Sequence, residues 1–310
     1  MRNLLVLGGF GFIGTNLLKY IDNNLLNSYN VIVFDKFSSH SKGITFECIS
    51  KVYEGDFSDE LIIERIFVEN KIDLVLHLLS STVPVNSRNA KYDVMTNLIP
   101  TLGLLSIMDY HHVKDIVYMS SGGAVYGDIL AGKHKEDDAV YPKSSYGVVK
   151  LAVEKYLLSY SELFGFNSLI LRLSNPYGPY HYNMQQGICN VALKKALMEE
   201  TIQIWGTGEG RKDYIYIDDV CSIIFKLISQ GVKTDVINLG NGNTLSVNEI
   251  VDGVKSFIPE IKVEHINDTL LDVTDFELDI SKMINYIGDF QFTDFNTGIN
   301  NTYEWIKKSI

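Results

Sequence analysis

The chain opens on a short apolar run, Leu4–Leu7, that breaks into Gly8-Gly9-Phe10-Gly11-Phe12-Ile13-Gly14. No other feature restricts the fold as tightly. The glycines satisfy GxGxxG at Gly9, Gly11 and Gly14, and GxxGxxG at Gly8, Gly11 and Gly14. Such spacing permits a tight strand-to-helix turn, lets backbone approach a pyrophosphate, and lets helix pack closely on strand. The helix that begins there offers unpaired N–H groups and a partial positive charge to an anion. Gly8, Gly11, Phe12, Ile13 and Gly14 are therefore predicted to line a dinucleotide site.

A second apolar run, Asn30–Phe34, ends in Asp35, 21 residues past Gly14. A carboxylate at that distance accepts hydrogen bonds from an adenosine ribose and repels a 2′-phosphate, which favours NAD over NADP. Lys36 beside it is a small counterweight and reads more simply as a solvated lysine. Gly55-Asp56-Phe57 follows the next strand, where Asp56 either nears the adenine amino group or is a plain turn acid.

Strand-like runs recur at Asp73–Leu78, Asp115–Met119 and Ser168–Leu173, alternating with helical spacing at Gly11–Ile21, Asp59–Glu69, Tyr92–Tyr110 and Ser145–Phe164. Continuous apolar strands separated by helices indicate a parallel sheet covered on both faces, a doubly wound (Rossmann) α/β architecture. After Asn175-Pro176-Tyr177-Gly178 the rhythm loosens into a smaller α/β substrate-binding part. Helices are expected there near Asn190–Glu200, Asp219–Ser229, Ser246–Phe257 and Asn300–Lys308, and strands at Ile202–Trp205 and Val236–Leu239. At about 150 residues per domain, 310 residues suggest two domains or one large one. The expected division is 1–175 for the dinucleotide and 176–310 for the substrate, with elements near 213–240 returning to the sheet.

Composition excludes several functions. Apolar residues are 46% and charged residues 21%, which rules out a disordered chain. With 27 Lys+Arg against 38 Asp+Glu the formal charge is −11, so nucleic acid is not an expected partner. Cys48, Cys189 and Cys221 form neither a disulfide framework nor a CxxC pair, which fits a reducing cytoplasm. Leu4–Leu7 is too short for a signal-peptide core. No apolar stretch nears the roughly 20 residues that span a bilayer, so no membrane insertion is expected. His111 and His112 are adjacent rather than four apart, and no metal is expected.

Ser145-Tyr146-Gly147-Val148-Val149-Lys150 puts a phenol and an ammonium on one face of a predicted helix. An ammonium nearby favours phenolate, and a tyrosine so tuned can take a proton from a sugar or alcohol hydroxyl. The pair gains meaning as part of a set, after a dinucleotide turn and the strand end Met119-Ser120-Ser121-Gly122-Gly123-Ala124-Val125-Tyr126-Gly127.

With that strand end the chain resembles the extended short-chain dehydrogenase/reductase family, in the nucleotide-sugar branch typified by UDP-galactose 4-epimerases. The resemblance also takes in His77, Asn97, Asn175-Pro176-Tyr177-Gly178, Trp205-Gly206, Asp213–Val220 and Leu278–Lys282. It implies Tyr146 as catalytic base and Lys150 as the residue that binds the nicotinamide ribose and lowers the tyrosine pKa. It implies NAD contacts from Phe57 and Leu78, a nucleotide-sugar contact from Asn175, and a homodimer. Trp205 resembles the aromatic that stacks on the nucleotide base, though a core or rim tryptophan is as good a reading.

The departures shape the functional expectation. The family's catalytic Ser/Thr position holds Gly122, so Ser121, or else Ser120 or a water, must supply the hydroxyl; Ser121 is favoured. The family's diphosphate arginine matches Lys212, with Arg211 beside it, and a lysine cannot make the bidentate fork. A second family arginine appears as Thr269, ahead of Asp272-Val273. The acid pair of the family's 4,6-dehydratases is replaced by Gly123 and Ala124, which disfavours dehydration. The expectation is an NAD-dependent 4-epimerase of a nucleotide sugar, most simply a UDP-hexose. The alternatives are a C4-reductase of a 4-keto-6-deoxy nucleotide sugar or, further off, a non-catalytic NAD(H)-binding sensor.

Overall fold

Apolar runs buried on both faces build the main sheet. In the computed structural model, which describes residues 1–36, 45–82, 89–127, 132–266 and 275–309, they alternate with helices as expected. The first half runs β1 (Arg2–Leu7), α1 (Phe12–Asn24), β2 (Tyr29–Asp35), β3 (Ile49–Glu54), α2 (Glu60–Glu69), β4 (Leu74–His77), α3 (Ala90–Asp93), a π-helical stretch Val94–Leu98 and α4 (Ile99–Tyr110). Then come β5 (Asp115–Ser121), α5 (Gly122–Tyr126), β6 (Lys133–His134), α6 (Ser145–Phe164), β7 (Asn167–Leu173) and β8 (Asn175–Tyr177). The remainder is α7 (Ile188–Leu197), β9 (Ile202–Trp205), β10 (Arg211–Tyr216), α8 (Ile217–Ser229), β11 (Asp235–Leu239), β12 (Thr244–Ser246), α9 (Val247–Lys255), β13 (Val263–Ile266), β14 (Asp275–Leu278), α10 (Ser281–Ile287) and α11 (Phe295–Ser309).

Seven strands form one parallel sheet in the order β3-β2-β1-β4-β5-β7-β11. Side chains of α1 and α8 join the core on one face; those of α2, α4 and α6 join the core on the other. The strand order reverses between β1 and β4, and a crevice outside the carboxyl ends at such a point is where open α/β sheets bind ligands. The doubly wound α/β fold expected from the sequence is the fold observed.

A second, smaller sheet pairs β12, β10, β14 and β6, with β8 on the far half of β10, and β9 pairs β13. Helix α9 opens with a reciprocal Ser246/Glu249 capping box. The long helix expected at Tyr92–Tyr110 is instead α3 and α4 joined through the π-helical stretch. The break falls where Pro100 has no N–H for the carbonyl of Thr96, and a widened turn accommodates the ring. Among the described residues no helix is long and apolar enough to cross a membrane.

Candidate functional site

The glycine turn sits at the sheet's reversal point. A Cβ on Gly14 would lie 2.2 Å from the Gly8 carbonyl oxygen, so α1 presses onto the turn only because that residue has no side chain. Gly11 is different: its missing Cβ would meet only the Gly8 oxygen, at 3.4 Å, so its Cα faces open cleft. Gly11 also caps α1 without any side-chain bond, and the first turn of α1 carries no acid. A bare helix start beside unobstructed backbone suits a diphosphate. At the end of β2 the Asp35 carboxylate accepts from the backbone N–H groups of Phe10 and Lys36, both at 2.6 Å. Burial raises its pKa, and those two N–H groups oppose the rise. The residues present therefore fit a dinucleotide.

Lys36 is ion-paired with Asp56 across the adjacent strand ends. That lysine, through its hydrogen bond and then with help from Ser58, holds the Asp56 carboxyl far below the usual range. Phe57 is buried between the rings of His77, at 5.2 Å, and Phe34, at 6.4 Å. Leu78 lines the cleft. His77 is neutral, pushed down to about 3 by burial, with its Nε2 on the Thr101 hydroxyl at 2.9 Å.

Ser144 caps α6 by accepting from the N–H of Gly147 at 3.1 Å. A Cβ on Gly147 would fall 2.2 Å from the Ala124 carbonyl oxygen, so a glycine here lets α6 close on α5 and brings its first turn to the end of β5. There Tyr146 and Ser121 share a hydrogen bond, and burial, the larger effect, pushes the phenol up to about 12. The Lys150 ammonium donates to the Met119 carbonyl at 2.7 Å and lies 4.8 Å and 5.7 Å from the ring centroids of Tyr118 and Tyr146. Burial lowers its pKa to about 8 against the pull of Glu154. Ser120 is committed elsewhere: its hydroxyl donates to the buried Glu154 carboxylate. A Cβ on Gly122 would press within 3.1 Å of the Phe276 side chain and 3.2 Å of that of Leu278, so a larger residue there needs both to give by a few tenths of an ångström.

These groups open into a cleft of about 1120 Å³ that runs from Phe10 and Gly11 past Ser121, Tyr146 and Lys150 to Asn175, Trp205 and Lys212. The Asn175 amide donates to the Asp213 carbonyl at 2.8 Å, which ties β8 to β10. Trp205 stands at the rim, 58% exposed. Arg211 turns away from the cleft: its guanidinium donates to the Thr244 hydroxyl and carbonyl and pairs with Glu249 at 3.0 Å. Thr269 and Asp272-Val273 lie outside the described residues. The cleft also recruits residues that sequence reasoning passed over, namely Lys143, Tyr180, His181, Tyr182, Lys195 and Phe276. Among the described residues no group of three or more His, Cys, Asp or Glu side chains is arranged to hold a metal.

Sheet, reversal point and tyrosine–lysine pair together put the chain in the class of enzymes that work through a bound dinucleotide. More particularly, it belongs to the NAD dependent epimerase/dehydratase family, whose model matches residues 4–240, and NAD is its cofactor. A putative UDP-glucose 4-epimerase of Methanocaldococcus jannaschii is 30% identical, with 99% of each chain covered. A dTDP-D-glucose 4,6-dehydratase of Dictyostelium discoideum is 27% identical, covering 97% of this chain and 76% of that one. A dTDP-4-dehydro-6-deoxyglucose reductase of Escherichia coli is also 27% identical, covering 82% and 81%. Among solved structures, UDP-glucose 4-epimerase of Thermotoga maritima with UDP-glucose superposes with a TM-score of 0.89 at 29% identity and 99% coverage of both chains. The Thermus thermophilus UDP-glucose 4-epimerase complex with NAD has the same fold, with a TM-score of 0.89 at 24% identity and full coverage of both chains.

Proposed function

We propose that the chain is a nucleotide-sugar 4-epimerase acting on a UDP-hexose. The observation that carries this reading is the meeting of Tyr146, Ser121 and Lys150 in a cleft whose dehydratase acid positions are Gly123 and Ala124. Phe276 packs against Gly122 and approaches Gly123, so a ring backs the wall where an acid pair would stand. The similarity to the Thermotoga maritima UDP-glucose 4-epimerase along 99% of both chains supports the choice of sugar nucleotide.

NAD, when bound, supplies the hydride acceptor and donor. Tyr146 takes the proton of the C4 hydroxyl, with Ser121 hydrogen-bonded to the same phenol to hold and pass that proton. Lys150 provides the cation that offsets the burial holding Tyr146 protonated. The resulting 4-keto sugar turns over within the cleft and is reduced on its other face, whereupon Tyr146 returns the proton. Lys212, which lines the cleft, serves the diphosphate as a point charge, and Arg211 does not. Asn175 and the rim ring of Trp205 hold the sugar nucleotide. Asp35 binds the adenosine ribose of the cofactor, with Phe57 and Leu78 along its path. Residues 1–175, joined by β11 in the main sheet and by α8 in its core, form the cofactor half, and the rest of 176–310 the substrate half.

The second reading, a C4-reductase of a 4-keto-6-deoxy sugar, draws on the similarity to the Escherichia coli reductase. One experiment separates the two. UDP-glucose, UDP-GlcNAc and their C4 epimers are supplied with catalytic NAD alone, and a 4-keto-6-deoxy nucleotide sugar is supplied with NADH or NADPH. An epimerase interconverts the first set with no net change in reduced cofactor. Stoichiometric cofactor oxidation in the second arm, with no interconversion in the first, would overturn the epimerase assignment.

A further inference from the structure

Beneath Tyr146 and Lys150 lies a charge cluster that the reaction above does not use. Tyr146, Lys150 and Glu154 recur every fourth residue of α6 and so share one face. That face meets the last three residues of β5, and each rung holds one of them. Tyr146 meets the Ser121 hydroxyl, Lys150 donates to the Met119 carbonyl at 2.7 Å, and Glu154 accepts from Ser120.

The side chain of Glu154 is 1% exposed and that of Arg172 is 4% exposed. Arg172 stands opposite Ser120 in the β5–β7 register, and both reach the same carboxylate. Its Nη2 donates to Oε2 at 2.8 Å and its Nε reaches both oxygens at 3.2 Å. The guanidinium further donates to the Glu136 carbonyl at 3.1 Å and covers the Tyr126 ring at 4.8 Å. Burying such a pair costs desolvation that its attraction barely offsets, and an apolar pair would join helix to sheet as well. The charges therefore point to a task besides packing.

That task lies one turn away, at Lys150. The titratable groups that face it are Tyr118 of β5, neutral His77 of β4, and Tyr146 and Glu154 of its own helix, with Arg172 of β7 on the Glu154 carboxylate. Of these, Glu154 is the one whose negative charge opposes the burial of Lys150.

We propose that Glu154 is the positioning residue of the catalytic pair, pinning the strand end that carries Ser121 while setting a buried negative charge against the Lys150 ammonium. Arg172 orients that carboxylate. The proposal rests on the reading of Tyr146 and Lys150 as the catalytic pair.

The test titrates Lys150 directly, by carbon NMR of the full-length protein labelled at the lysine ε-methylene. The Lys150 signal is identified by its loss in Lys150→Met. In Glu154→Gln the Lys150 midpoint should fall by about one pH unit or more, and the alkaline limb of kcat should move down with it while KM changes little. Glu154→Asp keeps the charge and should keep the midpoint near wild type. A folded Glu154→Gln protein with the Lys150 midpoint unmoved would overturn the proposal, because a residue with only a packing role lowers the melting temperature and nothing else. If Glu154→Gln does not fold, Ser120→Ala decides: it frees the strand end and should lower kcat several-fold at constant KM, and an unchanged kcat refutes the idea. The NMR titration needs neither substrate nor cofactor. Its failure is thus distinct from failure of the reading of Tyr146 and Lys150 as the catalytic pair, which full activity in Tyr146→Phe would reveal.

Discussion

Two serines stand side by side at the end of β5, and their surroundings differ. Ser120 is buried on Glu154, while Ser121 meets the Tyr146 phenol. We expect Ser121→Ala to cost more turnover than Ser120→Ala, with the reverse ranking transferring the hydroxyl role to Ser120. Tyr146→Phe removes one oxygen from a buried ring and should lower turnover by at least about 100-fold, the scale of a lost general base. NAD binding should be largely spared; near-normal turnover would remove Tyr146 from the mechanism. The sequence carried most of this, since spacing places Tyr146 and Lys150 on one helical face and alternation lets only one of two adjacent serines face inward. It also held a signal for Glu154 that went unread. Arg172 is a charge inside an apolar strand, and a buried charge needs a partner. Arg211 and Lys212 show the opposite limit. They are adjacent, and only the pairing of β10 with β12 decides which of them is drawn out to Thr244 and Glu249.

Element by element, legibility follows length. Helix α6 occupies the range its periodicity predicts, Ser145–Phe164, because twenty residues with a Ser144 cap and a left-handed Gly165 stop leave little ambiguity. Strands β6, β8, β12, β13 and β14 have two to four residues each, too few for an alternation to register, and exist because neighbours pair with them. The aromatic loop between β8 and α7 that brings Tyr180, His181 and Tyr182 into the cleft has no periodic signature at all. The turn after β1 is better specified, and it is coupled to β2 through one contact: Asp35 holds the Phe10 N–H. Asp35→Ala therefore removes the ribose acceptor and loosens the turn together. We expect weaker NAD binding and a narrowed preference over NADP, measured as the ratio of the two dissociation constants. A wild-type protein that already prefers NADP would refute the reading of β2.

For the molecule as a whole, acid acts against the fold through two buried histidines. His77 stays neutral to about pH 3 because it is buried, whereas an unfolded histidine binds its proton near 6.5. His181 is likewise pushed down, to about 4, by burial. Below 6.5 the unfolded chain holds more protons than the folded one at these sites, so stability is lost as pH falls toward 3 and is fully present above 6.5. A site like His77 contributes about 1.4 kcal/mol of that loss per pH unit. Urea unfolding at pH 7, 5 and 4 should show a shallower dependence on pH in His77→Gln; an identical slope would contradict it. The exterior leads to a second expectation. Tyr110 of α4, at 77% exposed, and Tyr156, Leu163 and Phe164 of the neighbouring α6, at 44%, 68% and 47%, leave apolar side chains open on adjacent helices. Exposed apolar side chains on neighbouring helices offer an association surface, and we propose a homodimer through it. Sedimentation should give twice the chain mass of 35.0 kDa, and Tyr156→Asp with Leu163→Asp should return the monomer. A wild-type monomer at micromolar concentration would rule the dimer out.

The crossover from β5 through α6 to β7 holds Ser121, Tyr146, Lys150, Glu154 and Arg172 within one β-α-β unit. The side chains that meet the far end of the cleft come from the β8–α7 loop, α7, β9, β10 and β14. The tyrosine, lysine and serine thus sit in one stretch of chain, while the far wall of the cleft is supplied by another. Under the function proposed above, exchanging residues 179–212 with those of a relative is expected to change which sugar nucleotide is accepted while the Tyr146 chemistry stays in place, and substrate-panel assays of the chimera check it.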